Sequence, residues 1–158
     1  MRRVFLFLIL FSLAGPGFAA ELEPFDAKSP AAIQRAHAGK PYLLVMWSLY
    51  CDPCRHEMKL WGPLQQKYPG VAVVLVSTDG ESERAKVADF LRRHDLRGVE
   101  TWMFADEFSE RVRYAIDPQW RGELPRTYVH DAAHRRQAYS GVLDPKALEA
   151  WLARQTSR

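Results

Sequence analysis

Six consecutive apolar residues, Tyr42-Leu-Leu-Val-Met-Trp47, are followed within three residues by a cysteine pair, Cys51-Asp-Pro-Cys54, and the hydrophobic period changes at that pair. The apolar run is too short for a typical buried helix and reads as a central parallel strand covered on both faces. After Cys51, residues Met58, Leu60, Trp61 and Leu64 recur at helical spacing, with Arg55, Glu57, Lys59 and Gln65 assigned to the outer side. Tyr68-Pro-Gly70 then stops the helix. A buried strand that feeds a helix starting at a cysteine leaves few architectures open. It also puts the two thiols one helical turn apart, within the Cα separation that a disulfide requires.

The rest of the chain extends this pattern. Residues 21–28 read as an irregular lead-in limited by Pro24, and Ser29-Pro30 as an N-cap and N1 proline opening a short helix to about Ala38. Val71-Ala-Val-Val-Leu-Val76 is a second buried strand rich in β-branched residues. A helix is expected from Glu83 to about His94, with Ala85, Val87, Ala88 and Leu91 on its apolar face. A short strand at 101–104, a helix capped by Asp106 and running to about Ala115, and a loop at 117–122 follow. Strands at 126–130 and 135–139 pair around Asp131-Ala-Ala-His134, a turn without the usual glycine. Gly141 lets the chain leave the second of these strands. Asp144-Pro145 then opens a last helix with Ala147, Leu148, Trp151 and Leu152 on its apolar face. The strand-helix alternation predicts an α/β domain with right-handed crossovers.

A chain of 158 residues with 47% hydrophobic and 26% charged side chains is sized for one globular domain, which excludes a wholly disordered or collagen-like chain. Two cysteines are too few for a disulfide-rich scaffold or an all-cysteine zinc site. Arg2 and Arg3 precede the run Val4-Phe-Leu-Phe-Leu-Ile-Leu-Phe, and Gly15-Pro-Gly-Phe-Ala-Ala20 adds a breaker and small residues, so residues 1–19 read as a secretory signal. Cleavage after Ala19 puts Gly17 and Ala19 at the small-residue positions; cleavage after Ala20 and an uncleaved anchor are the alternatives. Residues 20–158 are then a single domain. Of 22 basic side chains, 20 remain against 19 acidic ones once Arg2 and Arg3 are removed, so the exported chain is near neutral. Export places both cysteines where disulfides form and persist.

A helix N-terminus at Cys51 favours thiolate over thiol, because free backbone N–H groups and the positive end of the helix face the sulfur. Cys51 is therefore the expected nucleophile, and Cys54, more buried, resolves the mixed disulfide by attacking Cys51. Pro53 fits the first turn, where a missing N–H costs little. Haem attachment would need His directly after Cys54, where Arg55 stands. A zinc or copper site would need further ligands, with His56 and His130 as the candidates. A closed structural disulfide is the remaining alternative.

Across these motifs the chain resembles the thioredoxin superfamily, most closely its exported TlpA-like and ResA-like thiol:disulfide oxidoreductases. The resemblance rests on Gly39-Lys-Pro41 before the strand, Trp47-Ser-Leu-Tyr-Cys-Asp-Pro-Cys-Arg-His-Glu57 across the turn, Val76-Ser-Thr-Asp79, and Gly122-Glu-Leu-Pro-Arg-Thr-Tyr-Val-His-Asp131. It implies a thioredoxin-like fold, a central mixed β-sheet flanked by helices, with an added helix-strand insertion between Asp79 and Trp120. It further implies that Pro125 is a cis-proline facing the cysteines and that Leu124 offers backbone groups to an extended substrate. Tyr50 and Trp120 are assigned to the substrate-contact surface, with core cover as the other role for Trp120, and Trp47 mainly to core packing. No organic cofactor or resident metal is implied. The implied partners are a protein bearing a disulfide or thiols and a membrane thiol-disulfide carrier as electron donor.

Three positions depart from the family pattern. Val45 stands six residues before Cys51, where an acidic or polar residue is common, so a buried carboxylate that would relay the proton of Cys54 is missing there. Lys59 occupies a position that is often proline. Asp52 replaces glycine or an uncharged residue, and its charge opposes the helix-end effect and raises the Cys51 thiol pKa. Arg55, His56 and Lys59 offset part of that. A poorer leaving thiol moves the pair toward reducing potentials of about −270 mV. Glu57 matches a family glutamate and joins Asp52 and Pro53 as a residue that modulates the site. A reductase or electron relay is therefore expected, with an oxidase or isomerase poorly separated from it. The basic runs at 92–97 and 134–136 are short and read as solvated faces, so neither nucleic-acid binding nor stable membrane insertion after cleavage is expected.

Overall fold

The computed structural model describes residues 22–156. The expected signal at 1–19, with its cleavage point, lies outside the described residues. The described residues form six strands and five α-helices in the order β1 Glu23–Phe25, α1 Ser29–Ala36, β2 Tyr42–Trp47, α2 Asp52–Lys67, β3 Ala72–Ser77, α3 Arg84–Arg92, β4 Glu100–Phe104, α4 Ser109–Ile116, β5 Arg126–His130, β6 Arg136–Ser140 and α5 Pro145–Thr156. The sheet order is β1-β4-β3-β2-β5-β6. β1, β4, β3 and β2 pair parallel, whereas β5 pairs antiparallel with both β2 and β6, so the sheet is mixed. Among the described residues no helix is long and apolar enough to cross a membrane.

All six residues of β2 are buried, because successive side chains point to opposite faces and both faces are covered. Leu43, Val45 and Trp47 join Met58 and Trp61 of α2, Val87 and Leu91 of α3, and Leu148 and Leu152 of α5 in one core cluster. Tyr42, Leu44 and Met46 join Ile33 of α1 and Val112 and Ile116 of α4 in the other. α2 approaches its neighbour loop at Gly62, where a Cβ would stand 1.5 Å from the carbonyl oxygen of Asp95.

Several local expectations are corrected. The lead-in is not irregular: Phe25 is fully buried, edge-on to Trp102 and stacked on Phe104, and this contact draws residues 23–25 into β1 beside β4. Pro24 is compatible with β1 because β1 is an edge strand. Ser29 is the first residue of α1 and not its cap; Asp26 Oδ1 accepts from the backbone N–H groups of Lys28 and Ser29. Asp106 likewise binds the N–H of Phe108 ahead of α4, which starts at Ser109. The helix expected from Glu83 begins as a 3-10 turn at Glu81–Glu83, and Ala85 is exposed. Glu57 and Gln65, assigned outward, are buried because each finds a backbone donor: Leu143 N at 2.9 Å and Val73 N at 2.7 Å. His134 takes the glycine role in the β5–β6 turn with φ 58°, and Asp131 Oδ1 accepts from Ala133 and Arg135 N–H.

The end of β2 away from the cysteines carries an aromatic stack. Tyr42 lies between His37 and His130, with ring centroids 5.2 Å and 4.1 Å away, and His134 meets it edge-on. Burial, helped by the positive charge of Arg136, pushes His130 down to about 4.

Two outcomes follow. Gly62→Ala forces a side chain into backbone and lowers stability by about 3 kcal/mol or more, measured by urea unfolding; a loss under about 1 kcal/mol contradicts the close approach. His130 binds a proton in the unfolded chain below about 6.5 but in the folded chain only below about 4, so stability present above pH 6.5 is lost as pH falls toward 4. Relative to His130→Phe, the wild type loses about 3 kcal/mol across that window. Parallel stability-pH curves for the two proteins contradict the assignment.

Candidate functional site

β2 ends at Trp47, and residues 48–50 turn the chain into α2 with Cys51 as its N-cap. The Cys51 Sγ accepts the N–H of Cys54 at 3.2 Å, so a sulfur occupies the place usually taken by a capping oxygen. Cys51 and Cys54 form a disulfide with a Cα separation of 5.2 Å. Cys54 is 1% exposed within the core cluster, whereas Cys51 is only partly buried at its margin. An accessible sulfur at a helix N-terminus with a second, sealed sulfur in bonding reach is suited to thiol-disulfide exchange. Pro53 sits in the first helical turn.

The charges around the pair are mostly paired. Asp52 is exposed, and the guanidinium of Arg55, 2.6 Å away, holds its carboxyl below the ordinary range. His56 Nδ1 lies 2.9 Å from the Asp52 carbonyl oxygen. Arg55 therefore offsets the Asp52 charge that was expected to act on Cys51. On the inner side Glu57 is 3% exposed, one turn beyond Cys54; burial pushes its carboxyl up, and the bond from Leu143 N–H opposes that in part. Val45 is buried in β2 opposite Thr127, so the acidic position of the family pattern is filled by core.

The turn itself hangs on Asp79, a residue outside the cysteine motif. Asp79, 6% exposed at the end of β3, accepts the Ser48 hydroxyl at 2.7 Å, the Leu49 N–H at 2.9 Å and the Ser77 hydroxyl at 2.6 Å. Tyr50 is 75% exposed, and its hydroxyl donates to Glu83 Oε2 at 2.9 Å. Tyr50, Leu49, Arg55, Lys86, Phe90 and Arg93 line a groove beside the turn. The α3 side of that groove was not singled out from the sequence; the only signal was the position of the insertion.

The Leu124–Pro125 peptide bond is cis, and Pro125 is buried. Met46 of β2 pairs with Arg126 of β5, so Pro125 enters the sheet at the end where β2 leaves it for the cysteine turn. Leu124 is partly buried and packs against both core clusters. Trp120 is not at the border of a cleft: it is 4% exposed within the second core cluster, and its indole N–H donates to the Glu123 carbonyl at 2.9 Å. Its size and the nearby backbone acceptor make it a support beneath the loop. His130, a candidate metal ligand, pairs with Tyr42 at the start of β2 and so stands a strand length from the cysteines, about 17 Å. Among the described residues no three His, Cys, Asp or Glu side chains are grouped to hold a metal ion.

No family model matches the chain. It is similar to the thiol-disulfide oxidoreductase ResA of Bacillus thuringiensis subsp. konkukian, 30% identical over 120 residues, covering 75% of this chain and 65% of that protein. The thioredoxin-like protein YneN of Bacillus subtilis is 40% identical over 60 residues, 37% of this chain and 35% of its own. The chain spans 34% to 65% of the length of the ResA relatives it matches. In three dimensions it is similar to a secreted Mycobacterium tuberculosis disulfide oxidoreductase homologous to E. coli DsbE, with a TM-score of 0.61 at 17% identity over 76% of this chain and 85% of the other. A thiol:disulfide interchange protein of Chlorobium tepidum gives 0.63 at 16% identity, over 77% and 83%. At such identities the structural likeness is one of fold.

The unequal exposure of the two sulfurs has a direct consequence. With Cys54 replaced by Ser, Cys51 alkylates with iodoacetamide at neutral pH at least about tenfold faster than Cys54 does in the Cys51→Ser protein. Equal rates, or a faster Cys54, contradict the assignment of Cys51 as the reactive sulfur.

Proposed function

This chain is a thioredoxin-superfamily protein with a ResA/DsbE-like fold and a disulfide-forming CxxC pair, and from that premise we propose that it is an exported thiol-disulfide oxidoreductase that reduces protein disulfides or relays electrons to them. The observation that carries the reading is the partly exposed Cys51 at the N-terminus of α2, disulfide-bonded to the buried Cys54.

In the reduced protein the Cys51 thiolate attacks one sulfur of a substrate disulfide. That S–S bond breaks, a Cys51–substrate disulfide forms, and the released substrate sulfur takes a proton. Cys54 loses its proton and attacks the Cys51 sulfur, which frees the second substrate thiol and leaves the Cys51–Cys54 disulfide. Two electrons pass from the dithiol to the substrate. The N–H of Cys54 that points at the Cys51 sulfur favours the thiolate needed for the first step. Glu57, buried one turn from Cys54 with its carboxyl pushed up, is the group proposed to receive the Cys54 proton in the second. Leu124 and cis-Pro125 form the proposed edge for an extended substrate segment, with exposed Tyr50 beside it, while Asp52 and Pro53 tune the turn.

No organic cofactor enters this cycle. Turnover needs a dithiol donor on the exported side, and a membrane thiol-disulfide carrier is the proposed one. Residues 1–19 are proposed to be the export signal and 20–158 one thioredoxin-like domain, acting in the periplasm or an equivalent exported compartment.

Trapping tests the reading. Cys54→Ser, expressed in its native exported compartment, accumulates a mixed disulfide through Cys51 that dithiothreitol releases and that the Cys51→Ser, Cys54→Ser protein does not form. Failure to trap any partner where a known relay protein is trapped overturns the exchange reading. For the wild type, a reduction potential near −270 mV supports the reducing direction, and one above about −180 mV reverses it while leaving dithiol chemistry in place.

A further inference from the structure

We propose that Asp79 is a positioning residue of the redox site, a buried acceptor at the end of β3 that locks residues 48–50 and thereby sets how Cys51 is presented. This rests on the dithiol reading above and assigns a residue to it that lies outside the CxxC helix and the cis-proline loop.

The hydrogen-bond polarity around Asp79 runs one way. The Tyr50 N–H donates to Ser48 Oγ at 3.1 Å, which leaves the Ser48 hydroxyl proton for Asp79 Oδ1. Asp79's own N–H donates to Ser77 Oγ at 3.2 Å, which sends the Ser77 proton to Oδ2. The Leu49 N–H donates to Oδ2 as well. Each donor is thus committed, and both carboxylate oxygens only accept. An amide in the same place would turn N–H toward at least one of these donors. A buried polar group left without its partner keeps the full penalty of its lost hydration, which favours another turn conformation.

The constraint is transmitted to the nucleophile in two short steps. Thr78, next to Asp79, gives its N–H and its hydroxyl to the Trp47 carbonyl at 2.8 Å and 3.2 Å, pinning the exit of β2. Ser48, held by Asp79, accepts the Cys51 N–H on its own carbonyl at 3.2 Å. The end of β3 therefore grips the chain on both sides of the bend, and Cys51 has no independent freedom of approach to α2. A carboxylate bonded two residues before the nucleophile also disfavours a second negative charge on that sulfur. The other charged groups around the turn are Asp52 with Arg55 on α2, where His56 also lies 3.7 Å from the Asp52 carboxylate, and Glu83 with Lys86 and Asp89 with Arg93 across the groove; each ion pair is left in place by the variants below. Glu57 lies on the inner side of α2, bonded to Leu143.

The test uses Asp79→Asn and Ser48→Ala in the full chain, reading the pH–rate profile of Cys51 alkylation in the reduced protein and kcat/KM for a disulfide substrate. For Asp79→Asn the profile moves to lower pH by about half a unit or more as the charge is removed, and kcat/KM falls about fivefold or more as the turn loosens. A kcat/KM within about twofold of wild type overturns the proposal whatever the alkylation profile does, since loss of the charge by itself moves the profile and only a loosened turn lowers kcat/KM. Should Asp79→Asn fail to fold, Ser48→Ala decides: it removes the donor to Oδ1 and keeps the carboxylate, so a displaced profile supports positioning and an unchanged one overturns it. If the wild type reduces no disulfide, the dithiol reading fails by itself, and the alkylation profile of Ser48→Ala still decides the role of Asp79.

Discussion

Because β2 has no solvent face, its register is not free. A slip of one residue would exchange Tyr42, Leu44 and Met46 with Leu43, Val45 and Trp47 and put each set against the wrong layer of helices. The exit of the strand at Trp47 is fixed by that requirement, and with it the number of residues available to reach α2. Three residues make the bend, so the first residue able to cap the helix is Cys51. The position of the reactive sulfur is thus a consequence of hydrophobic burial several residues away. The sealing of Cys54 follows from the same packing, since one helical turn later the side chain faces the layer that covers Val45 and Trp47.

Opposing electrostatic effects meet at that position. The helix end and the Cys54 N–H stabilise negative charge on Cys51. Carboxylates surround it on three sides: Asp52 outside, Glu57 within, Asp79 behind the turn. They are not equivalent. Asp52 is exposed and neutralised by Arg55, so solvent and its partner screen it. Glu57 and Asp79 are buried, where screening is weaker, and each is bonded to backbone N–H. With Val45 in place of an acidic residue, the buried carboxyl groups near the pair stand on the helix and just past the neighbouring strand end, not on the strand beneath it.

How much of this was legible in the sequence depended on the range of the interaction. β2 and β3 could be read because a buried parallel strand is a continuous apolar run, and the helix at Cys51 because the period changes there. Glu57 and Gln65 were misassigned because a helical pattern places polar residues outward unless a partner is known. Leu143, the partner of Glu57, is 86 residues away, and no local window contains both. β1 escaped notice because three residues with a proline carry no period; only the burial of Phe25 against β4 makes them a strand. Of the two roles open to Trp120, cleft border and core cover, local sequence does not choose; an indole N–H with a backbone acceptor three residues on can be buried without penalty, and Trp120 lies in the core. Asp79 was quoted as part of a motif, but its three donors become visible only when β3 is laid beside β2.

The two ends of β2 are chemically distinct, and the sheet keeps them so. At the Trp47 end the Cys51 sulfur accepts the Cys54 N–H; at the Tyr42 end three imidazoles surround one phenol ring, and burial disfavours protonation of His130. A strand length of about 17 Å separates them, so no hydrogen bond or direct contact joins the two ends. Acid therefore meets this strand at both ends: it loads a buried ring in the Tyr42 stack, and beside the cysteines it meets Glu57, buried one turn from Cys54 with its carboxyl pushed up. The stability lost as His130 gains a proton is set at the Tyr42 end, by a residue that takes no part in the chemistry of the cysteine pair.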